Sequence, residues 1–87
     1  MGITSIIISN NSLFLSTMNR IKEVLDEKGI KQTWLAEKLG KSFNMVNSYV
    51  QNRHQPSLET LYKIAEVLDV SARDLLVEER EAYKNGL

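Results

Sequence analysis

The chain has 87 residues, in which eleven Lys and Arg side chains are balanced by eleven Asp and Glu side chains, and it contains no cysteine. This length suits one small domain, and an apolar content of 43% is ordinary for a globular protein. The lack of cysteine excludes disulfides and thiolate sites, and a single histidine, His54, argues against a histidine-built metal or catalytic site. A net charge of zero at first argues against a nucleic-acid-binding domain, which is usually basic.

The distribution of charge changes that interpretation. Residues 28–54 carry five Lys and Arg side chains against one Glu, which is a net charge of +4. Residues 1–27 have a net charge of −1, and residues 55–87, which include an acidic tail at 78–87, have a net charge of −3. A basic centre is expected of a surface that faces a polyanion, although chance clustering in a short stretch gives the same pattern.

Residues 1–17 form an apolar N-terminal extension whose structure the sequence leaves open. Two β-branched runs flank Asn10 and Asn11, which is typical of two short strands joined by a turn. An extended or disordered segment and a natural chain start at Met18 are the other interpretations. The extension lacks the positive start of a signal peptide and the about 20 apolar residues of a membrane span. We therefore expect a cytoplasmic protein with no membrane partner.

From residue 18 onward the apolar side chains follow a helical period, which predicts a compact all-α domain of five short helices over residues 18–77. The first helix opens at Met18 and ends at Gly29, a residue typical of helix C-termini. The second covers Gln32–Leu39 and is followed by Gly40.

Serine N-caps predict the other three helices. Ser42 precedes a helix that runs to about Gln51, Ser57 precedes the fourth, and Ser71 with Asp74 forms a capping-box pattern at the fifth. In the fourth helix the side chains predicted to face the core are Leu58, Leu61, Ile64, Ala65 and Leu68, and the fifth helix is predicted to run through Leu75 and Leu76.

Residues 32–51 are the most informative unit, because they predict two short helices joined by a turn of three to four residues. Ala36 is small where the second helix must cross closely, and Gly40 occupies the turn, where a positive φ is easiest for glycine. Val46 supplies an aliphatic contact six residues further on. This combination of residues at these positions is more specific than the apolar period alone, which any helical hairpin would share. It predicts a helix-turn-helix.

With these positions in place, the chain resembles the lambda-repressor-like, Cro/C1-type (XRE-like) helix-turn-helix family over about residues 18–77. The matching residues are Ile30-Lys31-Gln32, Leu35-Ala36-Glu37-Lys38-Leu39-Gly40, Ser42, Val46, Pro56-Ser57-Leu58-Glu59-Thr60-Leu61, Ile64-Ala65, Leu68 and Asp74-Leu75-Leu76. The resemblance implies a compact five-helix DNA-binding domain in which the helix from Phe43 to Gln51 enters the major groove. It also implies a transcriptional regulator, either a repressor or a controller protein.

The predicted recognition helix presents an uncharged face. We expect four of its side chains to contact DNA bases: Phe43, Asn44, Asn47 and Ser48. Asparagine can bond both N7 and N6 of adenine, whereas Phe43 either contacts a thymine methyl group or covers the end of the preceding helix. Met45 is expected to fill part of the core, and a plain solvated face is the alternative for the three polar residues.

Phosphate contacts are expected at the helix ends and in the following loop. The resemblance implies that Gln32 positions the domain on the DNA backbone, and free N–H groups at the start of its helix favour an anion. The six residues expected to contact phosphates are Lys31, Gln32, Lys41, Gln51, Asn52 and Arg53. Solubility is the alternative role for the charged members, among which Arg53 is a stronger candidate than Lys38.

Four positions depart from the family pattern. Val50 replaces a common Glu, and Lys41 replaces an apolar residue in the turn. Asn52 replaces a glycine, which is tolerable because Asn accepts the left-handed conformation. Trp34 stands at a usually polar position, where it either packs on the first helix or receives the N-terminal extension.

The sequence thus predicts a regulator that binds double-stranded DNA as a homodimer, because one helix-turn-helix makes few base contacts. The predicted dimer surface is the fifth helix, the acidic tail or the N-terminal extension. The alternative is a protein-interaction module, such as an antitoxin, whose extension adds a strand to a protein partner. No carboxylate pair, phosphate loop, metal-ligand spacing or activated nucleophile is visible, so we expect no enzyme activity, no metal and no cofactor.

Overall fold

The computed structural model describes residues 17–78, so almost all of the predicted extension (1–17) and of the acidic tail (78–87) lies outside the described residues. Within this part of the chain the all-α class is confirmed. The elements are α1 (Ile21–Lys28), α2 (Gln32–Leu39), α3 (Phe43–Val50), α4 (Leu58–Leu68) and a 3-10 helix over Ala72–Leu75. None of these helices is long and apolar enough to cross a membrane.

Local signals set most of the helix ends. The Ser42 hydroxyl accepts a hydrogen bond from the N–H of Met45 at 3.1 Å, and the Ser57 hydroxyl accepts one from Thr60 at 3.1 Å. Both serines therefore cap the helices predicted to follow them. Gly40 has a φ of 68° at the end of α2, a left-handed conformation that glycine adopts without a Cβ penalty. The helix-turn-helix thus has the turn that the sequence predicts.

The core lies between the inward faces of the four α-helices and the 3-10 helix. α2 packs against α3 and α4, α1 packs against α3, and both α1 and α4 contact the 3-10 helix. The buried core residues are Ile21, Val24, Leu25, Leu35, Ala36, Val46, Tyr49, Val50, Leu61, Ile64, Ala65, Leu68 and Leu75. This packing fixes one side of α3 and leaves its opposite side at the surface.

The prediction that the first helix opens at Met18 is wrong, because α1 begins three residues later. Asn19 pairs with Leu76 in an isolated antiparallel bridge, and the N–H of Arg20 donates to the Leu75 carbonyl oxygen at 2.8 Å. These contacts join residues more than fifty positions apart. The local apolar period does not reveal them, so it overestimates the length of the helix.

The predicted fifth helix is a single 3-10 turn, so four α-helices replace the expected five over residues 17–78. The predicted capping box is present between Ser71 and Asp74. The Ser71 backbone N–H, with its hydroxyl second, holds the pKa of Asp74 below the usual 3.8. Leu76, predicted from the sequence to lie in the fifth helix, is instead extended and pairs with Asn19. This pairing ends the helix at Leu75 and leaves Leu76 44% exposed.

One side chain of α4 also differs from its prediction. Leu58 is 64% exposed, whereas the other four inward residues predicted for this helix are buried. Tyr62, one turn further along, lies on the same side as Leu58 and is 58% exposed. α4 therefore carries an exposed apolar pair at the edge of its core face.

Candidate nucleic-acid interface

One side of α3 is fixed in the core. Val46, Tyr49 and Val50 are at most 7% exposed, and α2 packs beside them with the buried Leu35 and Ala36. Because an α-helix repeats every 3.6 residues, fixing these side chains also fixes the direction of the opposite side. The surface that α3 presents is therefore determined by the core.

The opposite side of α3 presents polar, uncharged side chains. Asn44 and Gln51 are exposed, and Asn47 and Ser48 are half-buried. At about 100° of rotation per residue, these four side chains occupy an arc of about 100°. The structure thus brings three of the residues predicted to contact bases onto one face, together with Gln51 from the predicted phosphate set.

The hydroxyl of Ser48 has a restricted hydrogen-bonding role. It donates its one hydrogen to the Met45 carbonyl oxygen at 2.6 Å, so toward any other group it can only accept a hydrogen bond. In the major groove an acceptor suits the amino groups of adenine and cytosine. The prediction that Met45 fills part of the core is wrong, because Met45 is 44% exposed; it flanks this face and is a further candidate contact.

A cleft between the starts of α2 and α3 gathers further predicted contacts. Lys31 and Gln32 line it together with Phe43, which is 46% exposed. Phe43 therefore lies at the same cleft as the start of α2 and is partly exposed at the surface. Lys22 of α1 lines the same cleft, and its Nζ lies 3.3 Å from Oδ2 of Asp26. The sequence does not single out Lys22 as a candidate contact, because its spacing to Asp26 is that of an ordinary helical ion pair.

The start of α2 has properties that suit an anion. Lys31 precedes the helix and makes no side-chain cap, so the first N–H groups of α2 lack a capping side chain. The Oε1 atom of Gln32 is buried without a hydrogen-bond partner among the described residues. This atom has no access to the surface, so it is the free N–H groups, and not the buried end of the Gln32 amide, that an anion at this place can reach.

The loop after α3 is organised by Asn52. Its φ is 60°, which lies in the left-handed region, and asparagine adopts this conformation more readily than most residues. Its Oδ1 accepts hydrogen bonds from the N–H groups of Met18 and Asn19 at 2.9 and 3.0 Å, and its Nδ2 donates to the Asn19 carbonyl oxygen at 3.1 Å. The side chain therefore holds the segment before α1, a structural role that the sequence does not predict, and the phosphate contact expected of Asn52 stays a prediction.

Asn19 continues this network into α3. Its side chain, on a residue only 3% exposed, donates to the Tyr49 carbonyl oxygen at 3.0 Å and to the Gln55 side chain at 2.9 Å, and it accepts from the N–H of Ile21 at 3.1 Å. We call this network the Asn19–Asn52 clasp. It joins the end of α3 to the start of α1, and sequence reasoning missed it because its partners are distant along the chain.

The other predicted phosphate contacts are exposed at the two ends of α3. Lys41 lies in the turn before the helix, and Gln51 and Arg53 follow its last residue. The N–H of Arg53 donates to the Ser48 carbonyl oxygen at 2.9 Å, which holds the loop backbone against α3 while the guanidinium group stays exposed. Two cations, Lys41 and Arg53, therefore flank the polar face of α3 along the chain.

Trp34 contributes to a different surface. It is 40% exposed and lines a shallow groove with Gly29 and Ile30, at the end of α1. The Lys38 ammonium lies 5.3 Å from the centre of its ring, a cation–π distance. Trp34 thus lies beside the end of α1, and the alternative that it receives the N-terminal extension concerns residues outside those described. The structure also places Lys38 against Trp34 on α2.

Residues 17–78 hold no group of three or more His, Cys, Asp or Glu that could bind a metal ion. The fold and the exposed side of α3 define a helix-turn-helix domain. A family model described as helix-turn-helix matches residues 21–75. The chain belongs to the Cro/C1-type helix-turn-helix family, as the resemblance of its motifs implied.

Comparison with individual proteins agrees with this assignment. The HTH-type transcriptional regulators SinR of Bacillus subtilis (strain 168) and of Bacillus licheniformis are each 40% identical to the chain over 68 residues, or 77% of its length. The chain spans about three fifths of the length of these relatives, 61% in both cases.

Two solved structures are also similar. A candidate DNA-binding protein from Bacteroides fragilis is 48% identical with a TM-score of 0.68, and the match covers 69% of this chain and 97% of that one. A hypothetical transcription factor from Neisseria, NHTF, has a TM-score of 0.61 over 91% of this chain and 93% of its own. At 23% identity the second likeness concerns the fold alone.

Proposed function

We propose that the chain is a sequence-specific, DNA-binding transcriptional regulator of the cytoplasm, acting as a repressor or controller protein. The observation that carries this proposal is the polar, uncharged face of α3, which the core fixes and which Lys41 and Arg53 flank. Membership of the helix-turn-helix family and likeness to SinR support the same function. The alternative of a protein-interaction module is not favoured by these comparisons.

In this proposal α3 lies in the major groove and reads base edges. Asn44 and Asn47 can each bond N6 and N7 of adenine, and Ser48 accepts from an amino group. The exposed part of Phe43 can contact a thymine methyl group. Together these residues favour half-sites that are rich in A·T pairs.

Phosphates on either side of the groove bind the ends of the helices. Lys31, Gln32 and the first N–H groups of α2 bind one phosphate, and Lys41, Gln51 and Arg53 bind others along α3. These contacts set the position of α3 but carry no sequence information.

A homodimer completes the proposal. One α3 reaches only a few base pairs, whereas two copies related by a two-fold axis reach two half-sites about one helical turn, or about 10 base pairs, apart. The second set of contacts is what gives a domain of this size useful discrimination against random DNA.

Selection of bound sites from random duplex DNA tests this function. We expect enrichment of one A·T-rich motif in two symmetric copies about 10 base pairs apart. The double variant Asn44→Ala, Asn47→Ala, carried through the same selection, is the matched control and should lose the motif. Failure of the wild-type chain to enrich any sequence would contradict the proposal.

A further inference from the structure

The exposed apolar residues of α4 are not used by the proposed DNA interface. Leu58 and Tyr62 are 64% and 58% exposed, the highest values among the large apolar side chains of residues 17–78. Phe43 and Met45 lie on or beside the DNA-facing side of α3, and Trp34 is covered in part by Lys38. A pair of side chains one helical turn apart forms a single apolar stripe, and such exposure often marks a contact surface.

Two opposite charges border this stripe. Glu59 and Lys63 are exposed and one turn apart on α4, a spacing at which they can pair within the helix. Among the described residues, however, the ion pairs within 4 Å are Arg20–Glu23 and Lys22–Asp26. The side chains of Glu59 and Lys63 are thus available to a partner. We call Leu58, Glu59, Tyr62 and Lys63 the α4 patch.

The α4 patch is complementary to itself. If two α4 helices pack antiparallel about a two-fold axis between residues 60 and 61, Leu58 of one copy lies near Tyr62 of the other, and Glu59 lies near Lys63. Each pair occurs twice because the axis repeats it. A partner with only acidic or only basic side chains would satisfy half of these charges, whereas a second copy satisfies all of them.

We propose that the α4 patch is the contact between two copies of this chain on DNA, an inference that rests on the proposed function. Residues 51–57 connect α3 directly to α4, so a contact through α4 also constrains the relative position of the two α3 helices. This surface differs from the fifth helix, tail or extension that the sequence analysis expected to form the dimer.

The size of the patch makes the dimer depend on DNA. A stable interface buries about 800 Å² per partner, more than two large side chains and their neighbours supply. Two copies on adjacent half-sites have a high effective concentration, so a weak contact is sufficient to make their binding cooperative. The chain should therefore be monomeric at micromolar concentration without DNA.

Cooperativity on DNA tests the inference. The full chain is titrated onto duplexes carrying one selected half-site or two in two-fold arrangement, over a series of spacings around 10 base pairs. We expect the wild-type chain to bind the two-site duplex about tenfold or more tightly than independent sites allow, and Tyr62→Lys to lose this gain. Binding to the single half-site should not change, because Tyr62 lies outside the DNA interface.

A charge exchange tests the pairing geometry. Glu59→Lys and Lys63→Glu should each weaken cooperativity, and the double variant should restore it, because reversed charges pair again across the axis. Glu37→Lys on α2 makes the same charge change outside the patch and should leave cooperativity intact. Cooperativity that survives Tyr62→Lys, or a double variant no better than either single one, would overturn the inference. Loss of single-site binding by the wild-type chain would instead contradict the proposed function.

Discussion

At the scale of single residues, Asn52 combines two opposed effects. A φ of 60° favours glycine, the residue that the family usually has here, because a Cβ atom is strained in the left-handed region. The Asn52 side chain offsets this strain through its hydrogen bonds to Met18 and Asn19. The departure from the family pattern is therefore explained by the contact with the segment before α1.

Asn19 provides the test of this clasp. Asn19→Ala leaves the N–H of Ile21 without its partner and removes one of two donors from the Tyr49 carbonyl oxygen, which keeps the N–H of Asn52 at 3.0 Å; an unsatisfied buried group costs about 1–3 kcal/mol. We expect the free energy of unfolding in urea to fall by about 2 kcal/mol or more.

Asn44→Ala is the matched control for this measurement. It removes the same side chain from an exposed helical position, so its effect should stay within about 0.5 kcal/mol. Equal effects of the two substitutions would show that the clasp adds no stability.

At the scale of the elements, local sequence predicts the helix ends that local contacts determine. The sequence predicts N-caps at Ser42 and Ser57 and a left-handed turn at Gly40, and the hydrogen bonds and the φ angle confirm all three. The start of α1 and the short 3-10 helix were not predicted, because both depend on the bridge between Asn19 and Leu76.

In the candidate site, too, the sequence predicts the features that local contacts determine and not those that depend on distant segments. The polar face of α3 follows from its apolar period, since the buried positions determine the exposed ones. The role of Asn52 and the exposure of Leu58 depend on which other segments lie nearby. No pattern within a single helix carries that information.

The turn of the helix-turn-helix can be tested at Gly40. A Cβ atom there would meet nothing within 4 Å, so Gly40→Ala should be destabilising through backbone strain alone, by about 1–2 kcal/mol. Gly29 has nearly the same φ, 66°, in equally open space, and Gly29→Ala should show a similar loss in urea. Asn accepts the left-handed region better than Ala, so Gly40→Asn should lose less. Unchanged stability of both alanine variants would contradict the requirement for these left-handed turns.

At the scale of the whole molecule, a net charge of zero is the sum of a basic centre and an acidic C-terminal third. Within the described structure, the basic segment supplies α2, α3 and the turn and loop around them, whereas five acidic side chains lie in or beside α4 and the 3-10 helix: Glu59, Glu66, Asp69, Asp74 and Glu78. Few cations face the DNA in the proposed complex, and α3 carries none. We therefore expect modest affinity for random DNA and a shallow dependence on salt, with specificity set by α3 and by pairing of two copies.

The central claim is that α3 reads bases while its flanking residues bind phosphates. The most direct measurement is the affinity for a selected duplex and for a scrambled one, titrated over a range of salt concentrations. Asn47→Ala should weaken binding to the selected duplex alone, by about tenfold, because a bidentate base contact contributes about 1–3 kcal/mol. Arg53→Ala should weaken binding to both duplexes and lower the salt slope by about 1. Lys38→Ala, which removes a cation beside Trp34, should leave the salt slope unchanged. Equal losses on the two duplexes for Asn47→Ala would contradict the account.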